Sequence, residues 1–176
     1  SKNFKKLDKL LWVGRFKSSI LTNENAALDA LMYVEAGPIR EKETTNLKTY
    51  KYSSYYLRET CKVNWLLKVD GNFGLTKGSK GTETYFQKLS YRANLPLTSK
   101  DISKKEIANG FAAGCYLKRQ SYFLDGLVIG SEKEIIPWLN KLTNMGKYLR
   151  RSAPQKLNVG SQYCLRRQRS HSANYR

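Results

Sequence analysis

Residues 122–134, with the sequence YFLDGLVIGSEKE, contain a local pattern that could bind a phosphate. A short apolar run ends at Gly130, and Ser131 and Glu134 follow at the spacing of a helix capping box. The N-terminus of such a helix can hold a phosphate. However, Glu132 and Glu134 already place negative charge at the positive end of the helix dipole. The pattern therefore favours a capped structural helix.

The residue types give little support for other chemistry. The chain has one histidine, His171, in a polar basic segment without a neighbouring carboxylate. Its three cysteines, Cys61, Cys115 and Cys164, form no CxxC pair, which disfavours zinc and suits buried thiols in a reducing, intracellular compartment. The acidic residues are not spaced as metal ligands. We therefore assign no catalytic residue, metal or cofactor, and we do not expect this chain to be an enzyme by itself.

The charge balance of the chain indicates a polyanionic partner. There are 32 lysines and arginines against 14 acidic residues, so the formal net charge is +18. A polyanion relieves the self-repulsion of such a charge, and nucleic acid is the commonest one. An acidic membrane surface is less favoured, because no amphipathic helix with a concentrated basic face stands out. No apolar run approaches the ~20 residues of a membrane span.

Basic and aromatic residues alternate in the N-terminal third of the chain, and further basic residues lie near its end. Cations bind phosphates, and aromatic faces stack on unpaired bases. For any single residue, a place in the core or on a solvated face is an equally good interpretation. A lone tyrosine without a base or metal is more typical of packing than of nucleophilic chemistry. The predicted nucleic-acid-binding residues are Arg15, Lys17, Arg40, Lys51, Tyr52, Arg58, Arg150, Arg151, Arg166 and Arg167.

Helical spacing dominates the segments that must position these residues. One apolar stripe consists of Ala27, Leu28, Leu31 and Val34, and the Gly37-Pro38 pair ends its helix. Pro137 lies inside the last predicted helix, which it should kink or shift. Glycine and polar residues predict loops at residues 40–50 and 68–83. Helices are predicted at residues 4–13, from 22 or 23 to 36, from 53 onward, at 82–94, from 101 or 103 through 111, and at 131–144.

The C-terminal part of the chain differs in charge. After Glu134 the sequence contains no Asp or Glu. Such a basic segment is typical of an arm that becomes ordered on its partner. The predicted fold class is therefore mainly α: an irregular helical nucleic-acid-binding region with long loops over residues 1–151, and an extended basic tail over residues 152–176.

Four segments, in this order, resemble REP-associated tyrosine transposases. LLWVGRFKSSIL at residues 10–21 resembles the Trp-x-Gly-Arg-x-Lys-Ser stretch of that family, and LMYVEAGPIRE at 31–41 resembles its YIELNPVRA motif. YKYSSYY at 50–56 resembles YRWSSY, and residues 119–139 resemble the aromatic segment that precedes a C-terminal helix. The second motif departs from the family at Gly37, which replaces Asn, and at Glu41, which replaces Ala. The four segments span most of the chain.

The resemblance implies a C-terminal part that lacks the catalytic core. The family's enzymes bind a divalent metal through two histidines at i and i+2, and a tyrosine attacks the phosphate. Both features precede the Trp-x-Gly-Arg stretch, and one histidine cannot supply the pair. The resemblance also implies that the turn at Gly37-Pro38 supports the nucleic-acid-binding surface. An ion pair between Glu35 and Arg40 would fix this turn, and we expect the three tryptophans, Trp12, Trp65 and Trp138, in the core.

Two functions from different classes follow from these observations. The first is a part or derivative of a tyrosine transposase that binds single-stranded or hairpin DNA without catalysis. The second is a structural RNA-binding protein of a larger ribonucleoprotein such as a ribosome, for which the acid-free end is well suited. The sequence does not distinguish DNA from RNA.

Overall fold

A computed structural model of the chain describes residues 17–60, 66, 68–146 and 153–167. About half of these residues are helical, so the helix-rich character was predicted correctly. Several sequence predictions lie outside the described residues. They concern the helix at residues 4–13 and the side chains of Trp12, Trp65, Arg15, Arg150 and Arg151. The described α-helices are α1 (Glu24–Glu35), α2 (Gly37–Arg40), α3 (Ser54–Thr60), α4 (Ser79–Arg92), α5 (Lys100–Ala108), α6 (Ser121–Asp125) and α7 (Glu132–Asn144). Short 3-10 helices cover Leu47–Thr49 and Cys115–Leu117.

A small mixed sheet, which the sequence did not predict, joins the two ends of the described chain. Its strands are β1 (Ile20–Leu21), β2 (Gly126–Gly130), β3 (Gln155–Lys156) and β4 (Tyr163–Arg166), in the order β1-β2-β4-β3. β2 pairs in parallel with β1 and antiparallel with β4. The apolar run before Gly130 is thus a central strand, and β1 and β3 are too short to be recognised by alternation.

Residues 153–167 belong to the fold, although the sequence analysis assigned them to an extended tail. β4 pairs with both β2 and β3, and the side chains of Cys164 and Leu165 are fully buried. The positive charge of this segment lies on residues that flank a short apolar stretch, so composition concealed the strand. The remaining tail residues, 168–176, lie outside the described part.

The main core lies between α1, α3 and α4. Its fully buried side chains include Met32, Leu47, Tyr85, Leu89 and Tyr116. A second apolar layer lies under the sheet, where Val128, Ile135 and Leu165 pack together. Trp138 is partly buried against this layer, which agrees with its predicted place in the core.

The buried face of α1 differs from the predicted apolar stripe. Val34 is 68% exposed, whereas Asp29 and Glu35 are buried on the inner face. A polar side chain can replace an apolar one in the core if charged partners satisfy it. Gly37 and Pro38 end α1 as predicted, but they also begin the short helix α2, where proline tolerates the first turn.

The helix ends follow local capping rules more closely than apolar spacing. The side chain of Asn23 accepts a hydrogen bond from the Ala26 amide at 2.8 Å and caps α1, and Ser53 accepts one from the Tyr56 amide at 3.1 Å before α3. α7 begins after Ser131 as predicted, and it continues through Pro137 without a shifted start. α5 ends at Ala108, so the predicted continuation through Phe111 is wrong. Gly110 there adopts a left-handed φ of 82°, which terminates the helix.

Candidate nucleic-acid interface

Three of the predicted cations meet at one end of the sheet, and we call Lys17, Arg166 and Arg167 the sheet-end cluster. Lys17 Nζ lies 3.2 Å from a carboxylate oxygen of Asp125, and the Arg167 backbone amide donates to the Asp125 carbonyl at 2.9 Å. The Arg167 guanidinium donates to the Ser18 carbonyl, and Arg166 donates to the Ser121 hydroxyl at 3.4 Å. The cluster forms because β1 and β4 both flank β2. Lys17 and Arg166 are exposed there.

A second exposed group lies on the loop between the first 3-10 helix and α3, residues 50–53, which we call the Tyr52 loop. Tyr52 is 91% exposed, and Lys51 beside it is exposed as well. Tyr50 supports the loop, because its hydroxyl donates to Glu43 at 2.6 Å and its ring meets that of Tyr52 edge to face at 5.8 Å. The hydrogen bond to Glu43 raises the pKa of Tyr50. These contacts of Tyr50 hold the loop in place, and Tyr52 projects from it into solvent.

Arg40 and Arg58, by contrast, are part of the folded interior. Arg40 donates to the carbonyls of Tyr33 and Tyr116 at 3.1 and 3.3 Å, and its guanidinium lies 4.1 Å from the centre of the Tyr33 ring. The predicted ion pair between Arg40 and Glu35 is therefore wrong. Glu35 points to the other side of α1, toward Arg58, and Arg40 contacts Glu41 at 3.6 Å instead.

Glu35 joins three helices through one buried carboxylate. The hydroxyls of Ser54 and Tyr85 donate to it at 2.5 and 2.6 Å, and Arg58 Nη1 lies 3.3 Å away. Burial, followed by the nearby Glu35 charge, raises the pKa of Tyr85 well above its usual value. Tyr85 therefore stays a neutral donor at any physiological pH.

A second buried ionic group, the Arg92 network, joins α1, α4 and α5. Arg92 is 2% exposed, and it donates to Glu106 at 2.6 Å and to Asp29 at 2.5 Å. Arg92 also donates to the Tyr116 hydroxyl at 2.8 Å and stacks over the Phe111 ring at 3.4 Å. Burial raises the pKa of the Asp29 carboxyl against the opposing effect of Arg92. Sequence spacing could have indicated the role of Arg92, because it follows Tyr85 and Leu89 on the buried face of α4.

The capping pattern at Ser131 has a structural role, as the sequence analysis favoured. One oxygen of Glu134 accepts four hydrogen bonds: from the Ser131 amide and hydroxyl at 3.0 and 2.7 Å, from Asn23 at 2.7 Å, and from Thr22 at 3.1 Å. The bonds from Ser131 and Asn23 lower the pKa of Glu134 to about 2. Glu134 thus occupies the position that a phosphate would need. Gly130 permits the contact, since a Cβ atom there would lie 1.7 Å from the Thr22 hydroxyl oxygen.

Metal binding and thiol chemistry gain no support from the described residues. Within the described ranges, no group of three or more His, Cys, Asp or Glu side chains could hold a metal ion. Burial raises the pKa of both Cys115 and Cys164 to about 11, so these thiols are poor nucleophiles. None of the helices in the described ranges is long and apolar enough to cross a membrane.

Comparison of the chain with protein-family models, with curated proteins and with solved structures finds no significant match.

Proposed function

We propose that the protein binds nucleic acid with unpaired or hairpin character, through the Tyr52 loop and the sheet-end cluster, without catalysis of its own. The exposure of Tyr52 carries this proposal. An aromatic residue that is 91% exposed contributes little to folding, yet its ring offers a face on which an unpaired base can stack. The neighbouring Lys51 can neutralise the phosphate of the same nucleotide.

The distribution of charge supports the same proposal. Three of the acidic residues, Asp29, Glu35 and Glu106, are buried in ion pairs and contribute little to the surface potential. The sequence as a whole carries a net charge of +18, which attracts a polyanion. Of the seven predicted binding residues that the structure describes, Lys17, Lys51, Tyr52 and Arg166 are exposed, so they are the proposed contacts.

We further propose descent from the REP-associated tyrosine transposases, based on the four ordered segments that resemble that family. In this lineage the partner would be DNA. A ribonucleoprotein component remains the second candidate, favoured by the absence of acidic residues after Glu134.

The proposal is tested by anisotropy titrations with a DNA hairpin that has unpaired flanks, the matching RNA hairpin, and plain duplex DNA, at three salt concentrations. Changing Tyr52→Ala should weaken binding of the hairpin by about tenfold, since one stacked base contributes roughly 1–3 kcal/mol. Tyr52→Phe keeps the aromatic ring, so this variant should bind the hairpin as tightly as the wild type does. Binding of duplex DNA should be unchanged in both variants. A preference for RNA would favour the ribonucleoprotein.

Charge is tested separately with Lys51→Ala, which should weaken binding to all sequences and lower the salt slope by about one. Lys104→Ala is the matched control, because Lys104 is also exposed but lies on α5. If Lys51→Ala and Tyr52→Ala bind no worse than Lys104→Ala, the Tyr52 loop is not an interface and binding reflects net charge alone.

A further inference from the structure

A small polar cavity lies beside the Arg92 network. It has a volume of about 100 Å³, and α1, α4, the end of α5 and the turn before β4 enclose it. Asn25 and Asn109 are exposed and form its mouth, while Asp29, Arg92 and Gln162 are buried within it. Its size excludes drug-sized ligands, which need roughly 300 Å³ or more.

The cavity presents hydrogen-bond acceptors whose capacity the fold does not use. Gln162 is 3% exposed, and its side-chain oxygen has no hydrogen-bond partner in the described ranges. Asp29 uses one oxygen for Arg92, while its other oxygen, Oδ2, faces Gly160. A methyl group on Gly160 would lie 3.4 Å from Gln162 Cγ and 3.6 Å from Asp29 Oδ2, so both side chains border the same space. An unpaired buried acceptor is unfavourable, and a donor from a ligand would offset this cost.

The charges around the cavity balance. Asp29 and Glu106 are opposed by Arg92 and by Lys88, whose Nζ lies 3.8 Å from Glu106. A neutral ligand therefore fits better than an ion. It should carry a donor group for Asp29 and Gln162, and acceptors for the partly exposed ammonium of Lys88.

We propose that this cavity receives the amino-bearing edge of an unpaired cytosine. This inference rests on the proposed function. The exocyclic amino group of cytosine supplies two donors, and its ring nitrogen and carbonyl supply acceptors on the adjacent edge. A single ring suits the volume better than a purine, and enzymes that read extruded bases use the same combination of edge contacts and apolar walls.

The position of the cavity in the fold fits a bound strand. Gln162 precedes β4, whose last residue, Arg166, belongs to the sheet-end cluster. An extended chain rises about 3.3 Å per residue, so the two lie about 13 Å apart. One nucleic-acid strand could therefore contact both.

The test uses the full chain and hairpins with an unpaired flank whose central position is cytosine, thymine or abasic, in DNA, and cytosine or uracil in RNA. The cytosine flank should bind about tenfold more tightly than thymine, uracil or the abasic site, in line with roughly 1–3 kcal/mol for a good base contact. Gln162→Met keeps the volume and removes the acceptor, so this preference should vanish. Gln155→Met, an exposed glutamine on β3, is the matched control and should keep it.

The outcomes separate the two proposals. Equal affinity for every flank would mean that the cavity holds only water, and it would overturn the inference while nucleic-acid binding stands. Absence of hairpin binding would instead overturn the proposed function. Thermal unfolding should show that Gln162→Met is as stable as the wild type. If that variant does not fold, the comparison of cytosine with thymine and uracil in the wild type still decides the inference.

Discussion

At the residue scale, single carboxylates organise the molecule. Glu35 and Glu134 each accept hydrogen bonds from several donors, and Glu106 accepts one from Arg92. Each carboxylate fixes elements that are distant in the sequence, because one oxygen can accept bonds from several directions. Breaking a buried charged pair by removing one partner costs roughly 3–5 kcal/mol, so these contacts specify the arrangement of the helices.

Glu134→Gln should destabilise the protein by about 1–2 kcal/mol at neutral pH, because the substitution weakens the caps of both α1 and α7. The folded-state pKa of Glu134, about 2, is below its ordinary value of 4.5. The stabilisation by Glu134 is therefore complete above about pH 4.5 and is lost as the pH falls toward 2. Urea unfolding at pH 7 and at pH 2.5 measures it. The difference in unfolding free energy between wild type and variant should shrink at the lower pH. An equal difference at both pH values would contradict an ionised Glu134 in the folded protein.

At the element scale, the helices meet through polar contacts as well as apolar ones. α1 places Asp29 and Glu35 on its buried face, toward Arg92 on α4 and Arg58 on α3. This arrangement explains why the amphipathic stripe of α1 was assigned wrongly, since hydrophobic spacing cannot detect a charged residue whose partner lies on another helix. Arg40 and Arg58 were predicted as surface contacts for the same reason.

Tyr85→Phe tests the junction of α1, α3 and α4. The change removes the donor to Glu35 and leaves the ring in place, so unfolding free energy should fall by about 1.5–3 kcal/mol. Urea denaturation measures it. Tyr91→Phe is the control, because Tyr91 is buried on the same helix and the described residues give its hydroxyl no carboxylate partner. Equal losses in the two variants would mean that the bond to Glu35 contributes nothing specific.

At the scale of the whole molecule, the sheet closes the fold by joining the beginning of the described chain to its end. β2 pairs with β1, which lies near the start of the described chain, and with β4, which lies near its end. The sheet-end cluster exists only because of this closure, since Lys17 and Arg166 are far apart in sequence. A basic C-terminal segment is thus a structural part of the protein as well as a source of charge.

A chain that ends at Ser152 should fail to unfold cooperatively, because it loses β3, β4 and the buried side chains of Cys164 and Leu165. A chain that ends at Arg167 retains every described element and should show a cooperative thermal transition by circular dichroism. A sharp transition in the shorter chain would show that β4 is dispensable.

The sequence by itself determined the local features of this protein: a helix start at Thr22 or Asn23, another at Ser53, the capping box of Ser131 and Glu134, the end of α1 at Gly37-Pro38, and a net charge of +18. These depend on neighbours within a few residues, or on composition alone, so one chain is enough to infer them. Only the tertiary structure decided which cations are exposed, that β4 pairs with β2, and that Asp29, Arg92 and Gln162 enclose a cavity. Such contacts join residues far apart in the chain, and no local spacing encodes them.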